Sequence, residues 1–293
     1  MKDALINYGG QALIEGVMMR GRRNCALAMR APDGQIVTKV FPLAGIYASG
    51  LVKVPFLRGM VMLWDSLGLG MRALTDSANL QGKEEDKLEG PALVLTLGLT
   101  FLVAIGIFFL APAGVGWLTE HFLHWNAWWS NLVEGVLRLA MFIGYIWGIG
   151  AMPEIKRVFA YHGAEHKTIN AYEAGAALTP EAVAGFPLAH ARCGTAFLLT
   201  LLLVSLFIFT VLGPLPLEWR LISRVLMLPV LVGVAYEYLR WTASHLSSPF
   251  VRAIVRPNLA LQALTTREPD EGMLEVAIAA FKAMYAAENP ETG

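Results

Sequence analysis

His162-Gly163-Ala164-Glu165-His166 sets two imidazoles and a carboxylate within five residues. Residues 154–174 read as a helix, on which positions i and i+4 lie about 40° apart with Cβ atoms about 6 Å apart. One ion can bridge two imidazoles so placed. The order His-x-x-Glu-His is the inverted form of the zincin motif, in which the glutamate acts on water polarised by the metal. Downstream, His190-Ala191-Arg192-Cys193 offers a second pair at a one-turn spacing. His162, His166, His190 and Cys193 together supply three nitrogens and one sulfur, a set suited to tetrahedral zinc. Four protein ligands describe a closed structural site, and three with one open position describe a catalytic one. Glu165 tilts the expectation toward catalysis, as general base. Without an ion, the histidines would only hydrogen-bond or cap, and Cys193 would be a small buried apolar residue.

Two glutamates and an arginine are further candidates around this set. Glu173 shares the face of the histidines but lies seven residues, about 10 Å, beyond His166, too far for the same ion. It is a candidate for a group behind the ligands or for substrate contact, as is Arg192. Glu237 is an alternative carboxylate ligand.

The elements that must position these residues belong to a membrane protein. The chain has 293 residues, 56% hydrophobic and only 16% charged, where soluble domains carry about 25% charged residues. A mean hydropathy of +0.52 excludes a disordered chain and argues against a soluble enzyme. With 23 basic against 23 acidic residues there is no electrostatic case for nucleic acid. Two cysteines, Cys25 and Cys193, do not make a disulfide framework. Four stretches are apolar enough to cross a bilayer, which takes about 20 helical residues: 91–118, 131–152, 196–212 and 221–239. The expected fold is an α-helical integral membrane protein of about four transmembrane helices, with a small α+β module built from the terminal segments.

Eleven Lys and Arg precede the first stretch and none separates the first from the second, whereas the 153–195 loop has four and the tail from Arg240 five. That bias predicts both termini and the 153–195 loop on the cytoplasmic side. Trp117, Trp125, Trp128, Trp129 and Trp219 then form an outer aromatic belt, with His121 and His124 at the same interface. Glu134, Arg138, Arg224 and Glu237 lie inside apolar stretches, where charges face the bundle interior and pair. An ion pair that fixes helix register is the simpler reading; a polar transport path is the other.

Outside the spans, residues 1–53 read as β-rich, with a hairpin around Pro32-Asp33-Gly34 and one further strand in the glycine-punctuated 9–21. Residues 54–76 suit an amphipathic helix on the bilayer surface, and 77–90 an acidic linker. Residues 241–293 form a C-terminal segment, irregular over 257–269 and ending in a helix capped by Asp270.

Four segments carry a resemblance across the whole chain: Gly9-Gly-Gln-Ala-Leu-Ile-Glu-Gly-Val-Met-Met-Arg-Gly21, His162-Gly-Ala-Glu-His-Lys-Thr168, His190-Ala-Arg-Cys-Gly-Thr195 and Leu264-Thr-Thr-Arg-Glu-Pro269. In these the sequence resembles the YqhQ family of bacterial membrane proteins, a family of unknown function sometimes labelled a predicted metal-dependent enzyme. The family usually has Pro where Ala191 stands, a departure that touches no proposed ligand. The resemblance implies a bacterial cytoplasmic (inner) membrane and a metal at His162 and His166 with His190 or Cys193. It implies no substrate and assigns no role to the N-terminal motif, whose Glu15 is a further candidate near the site. The expected function is a zinc-dependent hydrolase acting on a lipid, a lipid-linked molecule or a membrane peptide at the cytoplasmic bilayer edge. The alternative is a non-enzymatic transporter, scramblase or scaffold with a structural metal. Four spans are few for a monomeric transporter, so that alternative calls for a homo-oligomer.

Overall fold

The computed structural model describes residues 8–43, 54–82, 90–190, 193–213 and 215–290. Strands β1 (Gly9–Leu13), β2 (Gly16–Arg20), β3 (Asn24–Arg30) and β4 (Ile36–Pro42) form one antiparallel sheet in sequential order. The expected hairpin joins β3 to β4, and Gly34 takes the positive φ of 85° that its turn requires. The segment before it makes two strands rather than one. Their connection, Ile14-Glu15, has neither Gly nor Asn, and Glu15 itself carries a φ of 52°. Side-chain bonds hold it there: the Glu15 carboxylate accepts Arg157 Nε at 2.5 Å, Arg157 Nη2 at 2.6 Å and the Tyr161 hydroxyl at 3.2 Å. The Arg157 hydrogen bonds hold this carboxyl below the usual range.

Period-2 alternation gives the sheet two apolar faces. Val17, Met19, Ala26 and Ala28 pack against α11 (Glu271–Glu288), through its stripe of Met273, Leu274, Ala277, Phe281 and Met284. As expected, Asp270 caps that helix, accepting Met273 N–H at 2.8 Å. Leu13, Met18, Leu27 and Met29 pack instead on Ala73 and its neighbours in α1 (Leu57–Gln81). Helix α1 therefore extends into the stretch expected to be linker; the more acidic residues 83–89 lie outside the described residues. Leu57, Met60, Trp64 and Leu67 of α1 form an exposed apolar stripe at three- and four-residue spacing.

The apolar half of the chain is helical. Helix α2 (Gly90–Ile105), a π-helical turn (Gly106–Leu110) and α3 (Ala111–Leu123) run on as one rod, followed by α4 (Ala127–Ile149), capped by Asn126. Next come α5 (Pro153–Glu173), the short α6 (Pro180–Ala184) and α7 (Gly194–Leu212). The fourth expected span is broken into α8 (Leu217–Leu226) and α9 (Leu228–Ser244), bent by 46°. Pro229 in the first turn of α9 has no N–H to offer α8, and its ring crowds the preceding turn. Among the described residues three helices are long and apolar enough to cross a membrane, or four if the bent pair is one span.

The 257–269 segment, expected to be irregular, is helical up to Thr265 as the end of α10 (Pro249–Thr265), with Pro257 inside the helix. Val251, Val255, Asn258, Leu261, Gln262 and Thr265 form its buried side. That three- and four-residue spacing outweighs the proline.

Candidate metal centre

Helix α5 starts with Pro153 in its first turn, where a missing N–H costs nothing, and it buries every residue from Ala160 to Ile169. His162 Nδ1 lies 2.8 Å from the Thr265 carbonyl, and His166 Nδ1 lies 2.5 Å from the Leu188 carbonyl. A carbonyl only accepts, so both Nδ1 atoms donate, and each neutral ring turns the lone pair of Nε2 inward. His162 Nε2 meets Cys193 Sγ at 3.2 Å. Among the described residues His166 Nε2 is buried with no hydrogen-bond partner. One donor atom from each of His162, His166 and Cys193 lies within 4.8 Å of the others. An unanswered imidazole lone pair beside a second imidazole and a thiol is a donor set that fits a divalent metal ion.

Cys193 arrives at this point as the N-cap of α7, its Sγ accepting Thr195 N–H at 3.4 Å. Glu165 completes the cluster with Oε2 at 4.0 Å from His162 Nε2. Burial pushes the Glu165 carboxyl up to about 7, while His162 and the Gly10 backbone N–H act in the opposite direction.

The four segments that carried the family resemblance converge here. A Cβ on Gly10 of β1 would sit 2.8 Å from Glu165 Cγ, so the bare strand lets backbone approach the carboxylate. A Cβ on Gly163 would sit 2.1 Å from the Arg267 carbonyl, so Gly163 admits the 264–269 segment against α5. Lys167, itself buried, donates to the Ala184 carbonyl at 2.7 Å and pairs with Glu268. Asn170 Nδ2 holds the carbonyls of Pro187 and Ala189 at 2.8 and 3.1 Å.

Gly163→Ala forces backbone apart, so overpacking should cost about 1–3 kcal/mol. Thermal unfolding in detergent should fall by roughly 2–12 °C. Gly148→Ala on α4, where a Cβ meets nothing within 4 Å, is the control and should not unfold earlier. Equal midpoints for the two variants would contradict the close approach.

The remaining candidates are sorted by position. His190 is buried, with its ring centroid 5.4 Å from that of His166, but it stands outside the three-donor group. Gln262 of α10 clamps the His190 backbone, accepting its N–H at 3.1 Å and donating to its carbonyl at 2.7 Å. Glu173 is exposed at the end of α5, away from the cluster. Glu237 pairs with Arg58 and accepts Phe56 N–H at 3.1 Å, bracing α1 against α9. Glu15 braces the β1–β2 turn against α5, and Arg192 lies outside the described residues. Sequence reasoning missed Gly10, Gln262 and Thr265, which act through backbone or clamp backbone. Glycine placement signals Gly10 and the 264–269 segment signals Thr265, whereas Gln262 lies just before that segment and carries no signal.

The comparisons agree with the sequence. A family model described as Protein of unknown function (DUF1385) matches residues 54–287. An uncharacterized protein, YqhQ of Bacillus subtilis (strain 168), is 35% identical over 296 residues, covering 96% of this chain and 93% of the relative. No solved structure matches the chain.

Proposed function

The chain belongs to the DUF1385 family, that of YqhQ, and from its site we propose that it is a zinc-dependent membrane hydrolase of the bacterial cytoplasmic membrane. Its substrate would be a lipid, a lipid-linked molecule or a membrane peptide, met at the cytoplasmic bilayer edge. One observation carries this reading: three donor atoms within 4.8 Å of each other, beside a buried carboxylate 4.0 Å from one of them. His162, His166 and Cys193 would hold the ion, the imidazoles kept in their ligating tautomer by the Thr265 and Leu188 carbonyls. When bound, zinc would lower the pKa of a coordinated water toward about 7 and polarise the substrate's carbonyl or phosphoryl oxygen. Glu165 would take the proton from the attacking water and return it to the leaving group. The Gly10 N–H orients that carboxylate. Burial keeps bulk water away from it, which strengthens each electrostatic contact.

The membrane part of this reading rests on the three or four apolar helices and on the lysine and arginine bias, which favours both termini in the cytoplasm. The exposed stripe of α1 is suited to lying on the bilayer surface.

A second reading has a specific observation behind it. His162, Glu165, His166, His190 and Cys193 are each less than 10% exposed, beneath β1 and α10. Such burial favours a closed site, in which His190 is the fourth ligand and the metal staples the terminal segments to the bundle of a non-enzymatic protein. Elemental analysis of the purified chain separates the two. About one zinc per chain is expected, and His166→Ala should lose it. His190→Ala should keep the metal if three ligands hold it, and lose it if the site is closed. Wild-type protein without bound metal would remove the enzymatic reading altogether.

A further inference from the structure

At the other end of the bundle lies a second buried polar cluster. Glu134 accepts Arg138 Nη2 at 2.7 Å, and both its oxygens accept Arg224, Nε and Nη2, at 2.7 Å each. Arg220 Nε approaches the same carboxylate at 3.8 Å. Arg220 Nη2 donates to Asn131 Oδ1 at 2.8 Å and to Glu120. Arg138, Arg220 and Arg224 are at most 1% exposed. Among the described residues the cluster thus holds three guanidinium groups and two carboxylates, an excess of one positive charge. In apolar surroundings an unmatched charge is among the costliest features a fold can carry.

The excess has an address. Among the described residues Arg220 Nη1 is buried with no hydrogen-bond partner, although the other arginines of the cluster place their guanidinium groups on acceptors. Arg220 is also next to the surface: its partner Glu120 has a side chain 21% exposed. Trp219 is 62% exposed, and Trp128 and Trp129 at the start of α4 are 55% and 62% exposed. Indole rings gather at the depth of lipid headgroups, the layer where phosphate groups are most concentrated. A guanidinium fork suits a phosphate's oxygens better than a lysine ammonium does.

We propose that Arg220 is the anchor of an anion site that takes a phosphate group, with Glu120 as the carboxylate that covers it. A bound phosphate monoanion or phosphodiester brings the cluster to neutrality. Its oxygens accept from Nη1, while Glu120 stays paired with Nη2, where its own negative charge weakens the hold on the anion. The site is independent of the metal centre and of the activity proposed for it. The group has two sources, a lipid headgroup or free phosphate.

The test uses the full chain in neutral detergent, with thermal unfolding as readout. Phosphatidylglycerol is titrated against a phosphatidylcholine baseline, and sodium phosphate against sodium chloride at equal ionic strength. In the wild type, phosphatidylglycerol or phosphate should raise the midpoint in a saturable manner, and the arm that does so identifies the source. Glu120→Gln removes the competing carboxylate and should lower the half-saturating concentration about tenfold, the expected direction for losing one like charge beside the anion. Arg220→Gln should abolish the shift. A wild type stabilised by neither anion overturns the proposal. So does a Glu120→Gln variant that binds more weakly than the wild type, an outcome that remains readable if Arg220→Gln does not fold.

Discussion

Glu165→Gln is expected to keep the zinc content of the wild type and to lose turnover by a factor of about 10²–10⁴, the usual contribution of a positioned general base. The substitution is nearly isosteric, and its amide oxygen still accepts the Gly10 N–H, so the closely packed contact with β1 survives. His162, His166 and Cys193 keep their carbonyl and thiol contacts, because none of those bonds involves Glu165. Only the capacity to accept a proton from water is removed. The measurement pairs elemental analysis with product release from a bacterial lipid extract reconstituted with the protein. Loss of the metal would make Glu165 a ligand. Unchanged turnover with the metal retained would remove it as base and return weight to the closed structural site. His166→Ala differs in kind, since it should lose the ion and the turnover together.

Much of this centre was legible in the sequence because it depends on helical spacing. His162, Glu165 and His166 sit on one helix, and three- and four-residue intervals place them on one face whatever the rest of the fold does. Cys193 was legible as a donor but not as the N-cap of α7, which sets where its sulfur points. The parts that escaped act through the main chain. The Thr265 and Leu188 carbonyls select the histidine tautomers, and any residue type supplies a carbonyl. Gly10 acts by lacking a side chain next to Glu165. The β1–β2 turn escaped because Glu15 adopts a left-handed conformation normally left to Gly or Asn, held by Arg157 from 142 residues away. The end of α10 escaped because Pro257 reads as a helix breaker, yet burial of one side of that helix offsets one missing hydrogen bond. Among the charges inside the apolar helices, Glu134, Arg138 and Arg224 meet as polar groups in an apolar bundle must. Glu237 instead pairs with Arg58 of α1, and Arg220 and Glu120 are not legible as members of the cluster because they lie at the ends of apolar stretches.

These charges within the apolar helices carry the largest expected effect on stability. Glu134→Ala removes the carboxylate shared by Arg138 and Arg224 and approached by Arg220, leaving three buried guanidinium groups with Glu120 as the remaining carboxylate. Breaking a buried pair by deleting one partner costs about 3–5 kcal/mol, chiefly because the surviving charge is stranded. For a chain of this size that should lower the unfolding midpoint in detergent by roughly 6–20 °C. The sign of the effect depends on the stranded charges rather than on lost packing, and a compensated variant exposes this. Glu134→Leu combined with Arg224→Met removes one charge of each sign and retains apolar volume beside Phe209, over which the Arg224 guanidinium now lies at 4.1 Å. Replacing a buried ion pair by apolar residues of similar volume is often neutral, so the double variant should recover most of the loss. If it unfolds as early as Glu134→Ala, the cluster holds the bundle by hydrogen-bond geometry rather than charge balance, and the helix-register role is the stronger. If both variants unfold with the wild type, the three arginines reach water or another anion in the native protein, and the buried pairing described here does not govern the stability of α4, α7 and α8.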